Sequence, residues 1–196
     1  LKVLMCGAAP LAQETEEQVK ARFNGDLIVL QGYGQTEATL GVLYGQFGVS
    51  KPGSVGQPIK GIYAKVIDEN GNSLGKNKTG ELCFKGDLIM KGYLGNEKAT
   101  REVIDKDGWL HSGDLGYYDD DSQFYIVDRL KELIKFKGFQ VAPAELEALL
   151  LTHQKIKDCG VIGISDEMAG ELPLAFIVKQ PHVELSEREV QDFVRM

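Results

Sequence analysis

No CxxC pair occurs in this chain, and its three cysteines, Cys6, Cys83 and Cys159, stand far apart and are odd in number. That spacing indicates neither a zinc site nor a disulfide framework, and it fits a reducing compartment. No apolar stretch approaches the length of a membrane span. The amino end, LKVLMCGAAP, is too short and too soon interrupted to be a signal peptide. Basic residues are also scarce: 22 Lys and Arg stand against 29 Asp and Glu, a formal charge of −7. The global field therefore repels nucleic acid and anionic lipid. Only a short cluster, Lys131, Lys135 and Lys137, runs against it, which argues against nucleic-acid binding as a main function. There are no internal repeats and no low-complexity tract. An initiator Met is missing and EREVQDFVRM stops inside a helical pattern, so a piece of a longer protein is expected.

What is present suffices for a real core. The 196 residues are 43% hydrophobic and 26% charged, enough for one large domain or one and a half ordinary ones. LKVLMC at 1–6 reads as a buried strand ending in the small-residue turn GAAP. Residues 12–22 read as a polar helix with Val19 and Phe23 facing inward, and LIVLQ at 27–31 as a second strand. This order suggests α/β layering with parallel strands. From about Pro52 to Lys91, Val, Ile and Tyr alternate with polar residues between KPGS, DENGN and KTGE. That pattern predicts an antiparallel β-rich subdomain with a turn at Asn70–Gly71. GELCFKG and DLIMKGY are expected as its later strands.

After the segment ending in DRL the pattern changes to a smaller α+β unit. Pro143 suits the first turn of a helix, with Glu145 near its positive end. DCGVIGI and PLAFIVKQ read as strands joined by SDEMAGE, and Ser186 with Glu189 as a capping box opening a last helix. The polar DRLKEL segment is the expected domain boundary.

The hexapeptide GYGQTE at 32–37 follows an apolar strand and is open to two readings. It can be a Gly-rich turn. It can also be a nucleotide loop, in which glycines let backbone N–H groups approach phosphate. Thr36 then offers a hydroxyl, Glu37 a hard oxygen for Mg²⁺, and Tyr33 a flat face for a base. A Walker loop needs a Lys after its glycines, and none is present.

The rest of the chain bears on the choice. GYGQTE, KPGSVGQP, GELCFKG, GYLGNEKAT, DGWLHSGD and DRLKELIKFKGFQVAPAELE follow one another along the sequence. In that order the chain resembles the adenylate-forming superfamily of acyl-CoA synthetases, 4-coumarate–CoA ligases and beetle luciferases, and most of all the insect luciferase-like acyl-CoA ligases. The likeness runs along essentially all 196 residues. It implies a mixed α/β and β fold: residues 1–128 as the end of a large AMP-binding domain, and 129–196 as a small C-terminal domain. A hinge would lie at Asp128 to Lys131.

It also implies a site. Gly7, Ala8 and Ala9 would flank adenine and the acyl pocket, although most relatives have Gly where Ala8 stands. Gly32, Tyr33 and Gly34 would border the nucleotide, with Tyr33 on adenine, Thr36 on the α-phosphate and Glu37 on Mg²⁺. Asp114 would accept both ribose hydroxyls, and Arg129 would reach the nucleotide through charge-assisted bonds. Lys135 would approach the reacting centre in the second half-reaction, while Gly138 would let the CoA thiol arm pass. The plainer readings remain: GAAP as a strand-to-helix loop, Asp114 capping a turn, Arg129 pairing with Asp119–Asp121, and the lysines as a solvated face.

The implied activity is a carboxylate–CoA ligase using ATP, Mg²⁺, coenzyme A and a fatty or aryl acid. A luciferase and a non-catalytic AMP- or partner-binding paralogue are the alternatives. Light-producing relatives tend to carry a small hydroxyl residue where Leu40 falls, and an apolar Leu suits an alkyl chain better. The resemblance further implies a peroxisomal address, or otherwise a cytoplasmic one, with its signal beyond Met196. The Ser/Thr/Gly-rich phosphate loop and the adenylation lysine of the family are expected outside this chain, which alone is not expected to adenylate.

Overall fold

The computed structural model describes residues 1–9, 11, 13–49 and 51–195. Pro10 of the GAAP turn, and Ala12 at the expected start of the first helix, lie outside the described residues. The chain divides into two compact units, Leu1–Ile126 and Val127–Met196.

In the first unit β1 (Val3–Cys6) and β2 (Ile28–Tyr33) run parallel, with Val3 beside Ile28 and Cys6 beside Gln31. Parallel neighbours require a crossover, and α1 (Gln13–Arg22) supplies it. Among its described side chains this helix buries Glu16, 3% exposed; Val19 is half-buried, and Phe23, expected inside, stays 38% exposed. A buried carboxylate needs donors. Glu16 accepts from Lys20 Nζ at 2.5 Å, Gln31 Nε2 at 3.1 Å and the Gly53 amide at 3.4 Å. The short strands β3 (Leu43–Tyr44) and β4 (Gln57–Pro58) complete a sheet in the order β1-β2-β3-β4.

A second sheet contains β5 (Ile62–Ile67) and β6 (Gly80–Gly86), then, after α2 (Glu97–Val103), β7 (Leu110–Tyr118) and β8 (Phe124–Arg129). Its strands lie in sequence order. The turn expected at Asn70–Gly71 forms, because Asp68 Oδ1 accepts the amides of Asn70 at 2.9 Å and Asn72 at 2.8 Å. GELCFKG is β6, but DLIMKGY is not a strand. Its backbone is engaged elsewhere: the Leu88 carbonyl accepts from Thr39 Oγ1 at 2.6 Å, and the Met90 amide donates to the Glu37 carbonyl at 2.8 Å. Val42, Leu43, Val66, Leu82, Phe84 and Leu110 are fully buried in one core to which both sheets contribute.

The second unit holds β9 (Ile134–Phe136), β10 (Phe139–Val141), α3 (Pro143–Leu151), β11 (Ile156–Asp166), β12 (Gly170–Lys179) and α4 (Glu187–Val194). The strand order is β10-β9-β12-β11, and β11 and β12 form the long antiparallel hairpin expected from DCGVIGI and PLAFIVKQ. Pro143 occupies the first turn of α3. Asp128, only 7% exposed, accepts the Ala144 amide in that turn at 3.1 Å, where a carboxylate is favoured. Ser186 caps α4 by accepting the Glu189 amide at 3.2 Å. The other half of the capping box does not close onto Ser186; the Glu189 carboxylate instead accepts from Lys155 Nζ at 2.7 Å. Ile134, Leu150, Ile156 and Val161 form this unit's core.

Candidate functional site

Tyr33 ends β2 and Asp114 lies in β7, on different sheets and 81 positions apart, yet the Tyr33 hydroxyl donates to Asp114 Oδ2 at 2.5 Å. The Tyr33 ring packs beside buried Phe84, with centroids 5.7 Å apart. Asp114 is set by its own strand. Ser112 Oγ donates to the Leu82 carbonyl at 2.7 Å and accepts the Asp114 amide at 3.1 Å, while the Gly113 amide donates to Glu81 Oε1 at 3.1 Å. A carboxylate whose own amide and preceding residues are anchored in this way is oriented before any ligand arrives.

Between β2 and β3 the chain folds into a 3₁₀ turn, Thr36–Ala38. Ala38 is fully buried, so it pins the turn, while Thr36 is exposed and Glu37 half-buried. Glu37 Oε1 accepts from the Tyr93 hydroxyl at 2.6 Å. That carboxylate raises the Tyr93 pKa, because its charge and hydrogen bond both favour the protonated phenol. Tyr93 is the second residue of the motif GYLGNEKAT, and its 56-residue separation from Glu37 carries no local signal in the sequence.

The glycines of GYGQTE have reasons inside the chain. A Cβ on Gly34 would run into the Leu40 carbonyl and Gly41 Cα, so this loop closes on itself only with a bare residue there. A Cβ on Gly7 would meet the Gly32 carbonyl at 2.9 Å. Thr39 and Leu40 both have positive φ, +50° and +88°, and the Leu40 side chain is 80% exposed. Such conformations in non-glycine residues are held only by their surroundings. Gly7, Ala8 and Ala9 are exposed past the end of β1, and Ala8 is also left-handed at φ +68°.

Arg129, Lys135 and Gly138 belong to the second unit. Arg129 Nη1 lies 3.6 Å from Glu132 Oε1, whereas Asp119 and Asp121, the acidic run weighed as its partner, hold Lys51 at 2.6 and 2.5 Å. Lys135 is exposed on β9, and its amide donates to Glu171 Oε2 at 2.7 Å. Gly138, at φ +84°, follows Lys137 at +49° in the two-residue turn between β9 and β10. Two successive left-handed residues are what a tight hairpin turn requires.

Residues 1–94 match the AMP-binding enzyme family, and residues 145–196 match the AMP-binding enzyme C-terminal domain. The chain is 50% identical over 201 residues to 4-coumarate–CoA ligase 1 of Glycine max, an alignment covering 99% of this chain and 68% of that protein. It is 55% identical over 195 residues to luciferin 4-monooxygenase of Photuris pensylvanica, covering 99% of this chain but 36% of that one. Among solved structures, o-succinylbenzoate–CoA synthetase from Bacillus subtilis, in complex with the acyl-adenylate intermediate, superposes with a TM-score of 0.87. It is 30% identical, covering 100% of this chain and 39% of its own. On these matches the chain belongs to the adenylate-forming superfamily of AMP-binding enzymes.

Proposed function

We propose that this chain serves an ATP-dependent carboxylate–CoA ligase, which couples a fatty or aryl acid to coenzyme A through an acyl-adenylate. The observation that carries the proposal is the Tyr33–Asp114 hydrogen bond. It brings together two residues, far apart in sequence, that the family resemblance gives to the same nucleotide. Asp114 in this reading accepts the ribose hydroxyls. Its second carboxylate oxygen, and the one now bonded to Tyr33, give two acceptors for two O–H donors. Tyr33 borders adenine together with Gly32 and Gly34, against the exposed, side-chain-poor backbone of Gly7, Ala8 and Ala9. Thr36 turns its hydroxyl toward the α-phosphate.

Glu37 is the magnesium ligand of this proposal. One carboxylate is a reasonable protein share for Mg²⁺, whose remaining positions are commonly water and substrate phosphate. When bound, the ion offsets charge that builds up in phosphoryl transfer. In the first unit the chain's own part is to hold donors and acceptors in place; in the second it presents charge. Arg129 supplies a charge-assisted contact to the nucleotide. Lys135 offers a cation to the reacting centre during thioester formation, and Gly138 leaves room for the thiol arm. The apolar, exposed Leu40 supports an alkyl or aryl acid over a polar luciferin. A peroxisomal setting would suit fatty acyl activation.

The test uses the full-length protein. Asp114→Ala should lower the rate of acyl-adenylate formation, measured by ATP–pyrophosphate exchange, by on the order of 10²–10³, chiefly at low ATP. An unchanged exchange rate would remove Asp114 from the nucleotide site.

A further inference from the structure

Cysteine spacing alone points to no metal site, yet the second sheet assembles one donor set across two strands. Cys83 of β6 is the register partner of His111 of β7, and Glu81 stands two residues before Cys83, where the ladder shifts register. Alternate residues of a strand share a face, so β6 carries a carboxylate and a thiol side by side. Opposite them, His111 Nδ1 lies 2.9 Å from Glu81 Oε2 and 3.8 Å from Cys83 Sγ. The three candidate ligand atoms all fall within 4.8 Å of one another.

Those distances suit a small tetrahedral ion. Zinc bonds of about 2.0 Å to nitrogen and oxygen and about 2.3 Å to sulfur separate neighbouring ligand atoms by roughly 3.3–3.6 Å. The observed 2.9 and 3.8 Å bracket that range. On the far side of the imidazole, Asp105 Oδ2 lies 3.7 Å from Nε2. At that distance the carboxylate acts on the ring by charge rather than by a hydrogen bond, and it favours a proton on Nε2, which leaves Nδ1 for a metal. Asp105 is itself fixed, accepting the amides of Asp107 and Trp109, both at 2.9 Å.

Burial points the same way, since the Cys83 thiol is fully buried beside these donors. Glu81 and Asp105 bring two carboxylates to one imidazole. A divalent cation bound between these donors would take the place of the thiol proton. A Glu–His hydrogen bond alone would satisfy a purely structural role. It does not explain a buried thiol on the same side as Nδ1, with a second carboxylate behind the ring.

We propose that Glu81, Cys83 and His111 form a binding site for a thiophilic divalent cation of the zinc class, with water as a fourth ligand and Asp105 orienting His111. This site is separate from Glu37 and does not depend on the ligase reading.

Cobalt(II) is the probe, titrated into untagged, chelator-treated full-length protein. The expected result is one equivalent bound, with tetrahedral d–d bands and a thiolate-to-cobalt charge-transfer band that Zn²⁺ abolishes. Cys83→Ser should lose the charge-transfer band, and His111→Gln should weaken binding at least about tenfold. Asp105→Asn should weaken it by about 10–100-fold while keeping the band. Circular dichroism checks that each variant is folded; if Cys83→Ser is not, His111→Gln decides. Absence of the charge-transfer band in the parent protein overturns the proposal. So does its persistence in Cys83→Ser, which would move it to Cys6 or Cys159, or unchanged affinity in His111→Gln.

Discussion

The two units hold their polar residues in opposite ways. In the first, Tyr33 and Asp114 come from different sheets and bond to each other directly, with the Tyr33 ring tilted against buried Phe84. In the second, Lys135 and Gly138 sit on an exposed hairpin whose fixings are backbone ones: the tight turn, the β9–β10 ladder and the Lys135 amide on Glu171. Groups that must meet a ligand in one geometry gain from being fixed beforehand. A cation that serves one step of two gains from being held only at its base, so that its long side chain stays free. On the proposed function, the difference between the units is a difference between a built site and a presented charge.

The first unit's arrangement should break hardest at its core. Phe84→Ala removes the ring beneath Tyr33 and opens a fully buried position. It should cost about 3–5 kcal/mol, read as a lower denaturant midpoint, and should remove adenylation with it. Loss of stability with adenylation intact would mean that Tyr33 is held without its neighbour. The second unit's arrangement should break selectively. In the full-length protein, Lys135→Ala should slow thioester formation by about tenfold, some 1.4 kcal/mol, and leave adenylation nearly unchanged. Equal loss in both half-reactions would show that the hairpin is not reserved for the second.

Acid should separate the units more gently. Burial alone would raise the Asp119 pKa, but the Lys51 ammonium and the Gln123 and Asp121 amides outweigh it and hold the carboxyl below its ordinary value. A depressed folded pKa gives stability that is complete above the unfolded value, near 4, and is lost as pH falls through the folded one. Asp119→Asn should therefore lower the first unit's stability at neutral pH, and the difference from the parent should vanish below about pH 4, so that the acid limb of the unfolding curve is flatter. The second unit, whose anchored carboxylate is Glu189 on Lys155, should unfold in acid as before. An unaltered acid limb would mean that the Lys51 pair contributes nothing.

Much of this architecture was legible from local pattern. The parallel start follows from two apolar runs around a polar helix, and the Asp68 turn, the Pro143 helix start and the Ser186 cap each have a local chemical cause. The misses have causes as well. Phe23 reads as inward on hydrophobicity, but Glu16 has three donors waiting for it, which no helical periodicity records. DLIMKGY has the composition of a strand; its amides and carbonyls go instead to Thr39 and Glu37, some fifty residues earlier. For the candidate site, the motifs supplied the residue types. The pairings Tyr33–Asp114 and Tyr93–Glu37 are long-range and needed the fold.

The smallest expected effect tests the bare rim of the first unit. Ala8 carries a methyl group at φ +68°, where an L-residue pays about 1–2 kcal/mol relative to the right-handed basin. Glycine would remove that strain, but it also frees the unfolded chain, which costs roughly 0.5–1 kcal/mol. The two nearly cancel, so Ala8→Gly should raise stability by about 0.5 kcal/mol or less. A thermal midpoint lowered by several degrees would mean that the methyl group packs in a way its exposure does not show. Because stability should hardly move, the same variant isolates the nucleotide question. If adenine lies against this backbone, removing the methyl group should change the KM for ATP and leave kcat alone. If KM does not respond, Gly7, Ala8 and Ala9 are a strand-to-helix loop and the built part of the site begins at Tyr33.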